Sequence, residues 1–118
     1  MSDPVDRRLL ERIRGVCLGF PEVEEIELWG GPLFRVRRRR FAVFNGSTFP
    51  NRSLHVVTDP GERAALRQDP RVTTSPHHGD RGWMALDLDA APVDWAEVAE
   101  LLETAYRCVA GKQLVERA

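Results

Sequence analysis

Two adjacent histidines, His77 and His78, stand beside Asp80, Arg81 and Trp83 in the stretch TTSPHHGDRGWMALDL, residues 73–88. Paired histidines next to a carboxylate are the raw material of a metal site or of acid–base catalysis. Their spacing argues against both. In an extended segment neighbouring side chains point to opposite faces, so His77 and His78 do not converge on one ion. No H-x-H or HExxH spacing is present, and His55 lies far away in the chain. Neither NGSTF nor TTSPHH forms a nucleophile elbow around its serine. There is no P-loop, and no GxGxxG follows a strand. The acids of EVEEIE and DLD read as strand edges rather than as an acid–base pair. The expectation is a protein that is not an enzyme and uses no metal and no cofactor.

The sharpest charge feature is RVRRRRF, residues 35–41. Its centre, Arg38-Arg39, falls where a hairpin should turn, so several guanidiniums would project from the tip. Arg37, Arg38, Arg39 and Arg40 at such a tip, with Arg35 and Arg52 nearby, make a phosphate-contacting wing. The competing reading is a solvated turn whose charge is offset by the acidic EVEEIE run. The formal net charge of the whole chain is -1, so bulk charge does not draw it to nucleic acid; any such binding must be local.

The elements that position these residues follow from periodicity. The 118 residues suffice for one domain, 1–118, with one modest core. From Val5 to Phe20, Val5, Leu9, Ile13, Val16, Cys17 and Phe20 share a helical stripe, with Asp3-Pro4 as N-cap and first helical position and Gly19 and Pro21 as stops. The period then changes to two in EEIELWG, LFRVR, RFAVFNG and SLHVV. A short helix, GERAALRQD, opens at Asp59-Pro60, and further strands follow at RVTTS and WMALDLD. A last helix begins at Asp94, with Glu97 at capping-box spacing, and its stripe is Trp95, Val98, Leu101, Leu102, Ala105, Tyr106 and Val109. The fold class is α+β: an antiparallel meander with the N- and C-terminal helices packed on one face.

If both helices cover one face, the other is open. Alternation assigns Ile26, Leu28, Phe34 and Val36 to the covered face and Glu25, Glu27, Trp29, Arg35, Arg37, His55, Trp83 and Asp87 to the open one. Tryptophans beside cations suit stacking on a flat ligand. Trp29, His55 and Trp83, with His77, His78 and Arg81 at the rim, are therefore the alternative site, for a small molecule or a protein. The opposing reading packs the tryptophans under loops. Cys17 and Cys108 fall inside helical patterns, have no metal-site spacing and read as buried thiols of a cytoplasmic protein. No apolar run approaches a membrane span, so no membrane partner is expected.

Four segments together resemble one known family: GFPEVEEIELWGGPLFRV, RFAVF, PHHGDRGWMALDLD and DWAEVAELLETAYRCVAGKQLV. They are similar to the MmcQ/YjbR-like family of small bacterial proteins, and the likeness covers nearly the whole chain. The resemblance implies a CyaY-like (frataxin-like) fold and a protein that binds double-stranded DNA through a double wing. Relatives often carry glycine at the hairpin turn that here reads RRRR, which would put Arg38 or Arg39 in the tight position. An iron-handling role suggested by the frataxin-like fold would need an acidic ridge; Asp3, Asp6 and Glu11 are too sparse and too interleaved with arginine.

Overall fold

Asp3 caps the first helix, accepting hydrogen bonds from the backbone N–H of Val5 (2.8 Å) and Asp6 (3.2 Å), with Pro4 in the first turn where its missing N–H costs nothing. In the computed structural model, which describes residues 3–28, 31–46, 51–75, 82–111 and 115, this helix is α1, Pro4–Cys17. It buries Ile13 and Cys17, while Val5, expected on the same stripe, is exposed in the first turn. The chain continues through β1 (Val23–Leu28), β2 (Gly31–Val36), β3 (Arg39–Asn45), β4 (Ser53–Val57), α2 (Pro60–Leu66), β5 (Val72–Thr74), β6 (Trp83–Asp87) and α3 (Trp95–Val109).

All pairings are antiparallel, in the order β1-β2-β3-β4-β6-β5. The first four strands form the expected meander. β6 then takes the place beside β4 and leaves the three-residue β5 as the edge. Both terminal helices lie on one face, over a core that includes Phe34, Val36, Phe41, Ala42, Leu54, Val56, Leu86, Leu102 and Tyr106. The register slips between Phe34 and Arg35, whose partners are Ala42 and Arg40, so Phe41 is the extra residue of a bulge. The slip lets both Phe41 and Ala42 reach the core, where Phe41 meets the ring edge of Tyr106 at 5.8 Å. Arg12 lies 4.6 Å above the Trp95 ring and ties α1 to the start of α3.

The opposite face is not open as expected. Cross-strand register sets Ile26, Leu33, Val43, His55, Ala85 and Thr73 in one row across the sheet. In that row Leu33 is 2% exposed, and His55 and Ala85 are 6% exposed. Trp83, two residues before Ala85 on the same face, is also 6% exposed. Alternation in β1 is therefore inverted with respect to the expectation. Val23 and Glu25 pair with Val36 and Phe34 on the helix side, and Ile26 pairs with Leu33 on the other. Glu25 is held there by Arg14 of α1, whose Nε and Nη2 donate to its two carboxylate oxygens at 2.5 and 2.8 Å.

Asp94 caps α3 through the N–H of Ala96 and Glu97, but the Glu97 carboxylate does not complete a capping box. It accepts instead from Arg71, which also binds Asp69 at 2.6 Å, so one guanidinium joins the start of β5 to α3. The Arg71 hydrogen bonds hold the Asp69 carboxyl below its ordinary range. A depressed folded-state value means that stability is present above the unfolded value, about 3.9, and is lost as pH falls through the folded one. Asp69→Asn should thus melt below the wild type at pH 7, and the gap between the two melting curves should close as the pH is lowered past that range. A gap independent of pH would contradict this.

Candidate functional site

The β2–β3 connection is two residues long, since Val36 pairs directly with Arg39. A two-residue connection of type I′, one of the two that match the twist of the strands, requires positive φ at both central positions. Here those positions are Arg37 (φ 49°) and Arg38 (φ 70°). The turn is centred one residue earlier than expected, because the pairing of Val36 with Arg39 places Arg39 in the strand. The tight positions are Arg37 and Arg38, without glycine. All four arginines from Arg37 to Arg40 are exposed.

Their electrostatic settings differ. Arg37 donates from Nε and Nη2 to both carboxylate oxygens of Glu22 (3.2 and 3.1 Å), itself at positive φ before β1. This contact raises the Arg37 pKa further. Arg35 donates to Glu24 at 2.6 Å. The acidic run EVEEIE thus neutralises the first two arginines, as the competing reading anticipated. It does not reach the other three. Arg39 makes one long hydrogen bond, 3.5 Å, to the Val109 carbonyl at the end of α3. Among the described residues no ion pair involves Arg38, Arg39 or Arg40. Register points Arg39 toward the helix side and Arg40, opposite Arg35, toward the other face, with Arg38 at the apex. Three unneutralised guanidiniums therefore fan around one tip.

Arg52 is not part of this cluster. It precedes β4, whose Ser53 pairs with Asn45, so it sits at the far end of β3 from Arg39, about 20 Å away at the strand rise of about 3.4 Å per residue. Its guanidinium is enclosed by Asp6 (2.6 Å), Asp89 (3.1 Å) and Asp3 (3.2 Å), which raise its pKa. Arg52 fastens α1 to β4 and to the segment after β6.

Only two residues of the alternative site, His55 and Trp83, are among the described residues. Trp29, His77, His78 and Arg81 lie outside the described residues. Trp83 and His55 are buried, so neither is a platform for an incoming ring. His55 lies between two hydroxyls, with Nε2 2.9 Å from Ser53 Oγ and Nδ1 2.9 Å from Ser75 Oγ. Cys17 is buried, which pushes its thiol pKa up, but Cys108 is exposed, contrary to its expected burial.

The YjbR family model matches residues 18–108, most of the chain and all of the hairpin. The chain belongs to the YjbR family. This YjbR chain is also similar to the crystal structure of Deinococcus radiodurans protein DR2400, which carries a DUF419 domain, with a TM-score of 0.75 at 22% identity. That similarity covers 92% of this chain and 86% of the other and shows a common fold. No curated protein matches the chain.

The basic tip of this YjbR protein stores strain. A non-glycine residue in the left-handed region costs about 1–2 kcal/mol. Arg38→Gly should therefore stabilise the fold by about 0.5–1 kcal/mol, the relief being offset in part by the greater freedom of glycine in the unfolded chain. The midpoint of urea denaturation should rise; an unchanged or lower midpoint would contradict the strain. The sequence pointed to the acidic run as a whole without singling out Glu22 and Glu24 as the partners. Their signal was present, since an acidic strand antiparallel to a basic one pairs charges across the ladder.

Proposed function

We propose that this YjbR protein binds double-stranded DNA through the phosphate backbone, with the β2–β3 tip as the contacting wing and Arg38, Arg39 and Arg40 as the contacting residues. The observation that carries the reading is the separation of the arginine run into a neutralised base (Arg35, Arg37) and three exposed guanidiniums without ion pairs among the described residues. Arginine suits this task because its planar donors match phosphate oxygens in pairs. The bidentate Arg37–Glu22 contact anchors the tip to the loop before β1, so the guanidiniums are presented from a braced hairpin. Backbone contacts fix position without reading sequence, so the expected binding has little base preference. The role is one of binding, without catalysis.

The test is fluorescence anisotropy with a labelled duplex at low salt. Three phosphate contacts give affinities in the non-specific range, with Kd of about 10⁻⁴–10⁻⁶ M. The combined variant Arg38→Ala, Arg39→Ala, Arg40→Ala should weaken binding by tenfold or more, whereas Arg52→Ala should leave it unchanged if still folded by circular dichroism. Equal loss in both variants, or no binding by the wild type, would overturn the proposal. His55 and Trp83, the described members of the alternative ligand face, are buried.

A further inference from the structure

The arginine tip does not project from the sheet as a free ribbon. On one side β1 pairs with β2 as far as Val36, and Glu22 closes on Arg37. On the other, β4 pairs with β3 from Asn45 only as far as Ala42, so Arg39 and Arg40 stand beyond its paired part. The major groove, about 12 Å wide, admits a two-stranded ribbon only where both strands are free along their length. Here Glu22 and Glu24 would meet the phosphates on the β2 side. What can enter a groove is the turn itself. Arg38 occupies its apex at φ 70°, exposed and without an ion pair among the described residues. Successive strand residues point to opposite faces, so Arg39 and Arg40 leave the turn on either side of it. A left-handed position held by arginine, where glycine would relax the strain, points to a task for the side chain.

Resting on the duplex-binding reading above, we propose that the tip enters the minor groove, with Arg38 between its walls and Arg39 and Arg40 on the phosphates of opposite strands, and that the protein therefore selects duplexes whose minor groove is narrow. Width makes the choice. The minor groove is about 6 Å wide, which admits one side chain but no ribbon. It also brings the two phosphate rows near enough for residues on opposite faces of one strand to reach both. The major groove, about twice as wide, would leave either Arg39 or Arg40 away from its wall. Narrowing deepens the negative potential between the rows, and A-tracts are stiff sequences with a narrow minor groove. A guanidinium suits such a confined site, because it is more weakly hydrated than an ammonium and loses less on entering. Arg38 placed there still offsets phosphate charge, so all three cations contribute to the salt dependence. The selection follows groove shape, and the backbone contacts read no bases.

Two labelled duplexes of equal length, one with a central A-tract and one rich in G·C, are compared by fluorescence anisotropy at low salt. The full chain should bind the A-tract duplex about fivefold more tightly. Netropsin, which fills the minor groove of A·T sequences, should displace the protein from that duplex. Arg38→Lys keeps the charge but not the planar head, and the ratio of its two affinities should fall to near one. The wild-type ratio and the netropsin competition stand as tests whether or not that variant folds. Equal wild-type affinity for the two duplexes, a preference for the G·C duplex, or an A-tract complex undisturbed by saturating netropsin would overturn the inference while leaving duplex binding in place. So would an unchanged ratio in folded Arg38→Lys. Failure to bind either duplex would overturn the duplex-binding reading and this inference together.

Discussion

Replacing Tyr106 by alanine is expected to destabilise the fold by about 3–5 kcal/mol, the cost typical of removing a large buried ring. Tyr106 is fully buried on α3, stacks on Phe20 at 4.7 Å and meets the edge of Phe41 at 5.8 Å. Its hydroxyl donates to the Pro21 carbonyl at 3.0 Å. The ring thus joins three parts of the chain that frame the basic tip: the turn after α1, the bulge of β3 and the last helix. Domains of this size have about 5–15 kcal/mol in total, so the variant should melt more than about 10 °C lower. Tyr106→Phe keeps the ring contacts and loses only the hydroxyl, for about 1 kcal/mol. Thermal melts of the two variants separate the contributions; equal losses would show that the hydroxyl, and not the stacked ring, holds this corner.

Gly31→Ala should cost about 2–4 kcal/mol, adding left-handed strain to overpacking against an immovable neighbour. Gly31 opens β2 at φ 117°, a conformation L side chains rarely adopt, and a Cβ there would collide with the Phe44 carbonyl oxygen. Because the obstacle is backbone of the adjacent strand, relief requires β2 and β3 to separate. These two strands carry the arginine hairpin, so the variant should lose stability and duplex binding together. Urea denaturation with parallel anisotropy measurements tests this. A variant as stable as the wild type would contradict the close approach of β2 to Phe44.

The helices were legible in the sequence because their signals are local. Asp3-Pro4 and Asp94 cap where expected, and the α3 stripe buries Val98, Leu101, Leu102, Ala105 and Tyr106. The six strands were also legible, but their faces were not. Alternation identifies a buried side only when the other side is wet. In the middle of this sheet Leu33, His55, Trp83 and Ala85 are buried opposite the helices, so apolar residues belong on both faces and parity loses its meaning. In β1 the register puts Glu25 on the helix side, where Arg14 meets it, a pairing between residues of separate elements that no periodicity encodes.

The arginine tip was located to within one residue from the run itself. What remained hidden was which arginines keep a free charge, because that depends on the register of β1 against β2. Register brings Glu24 opposite Arg35, and the turn before β1 brings Glu22 to Arg37. Arg52 carried no sequence sign of its three aspartate partners, which come from α1 and from beyond β6. Long-range folding likewise buries Trp83 and encloses His55 between Ser53 and Ser75.

The central claim is that three guanidiniums at the β2–β3 tip bind duplex DNA through its phosphates, and the salt dependence of affinity tests it most directly. Each neutralised phosphate contributes about −0.9 to the slope of log K against log salt. Three contacts predict a slope near −2.7, or a loss of about 40-fold between 50 and 200 mM salt. In the variant Arg38→Ala, Arg39→Ala, Arg40→Ala the slope should fall to near zero. A wild-type slope near zero, or a steep slope that survives in the folded variant, would contradict the assignment of the tip as the DNA-contacting wing.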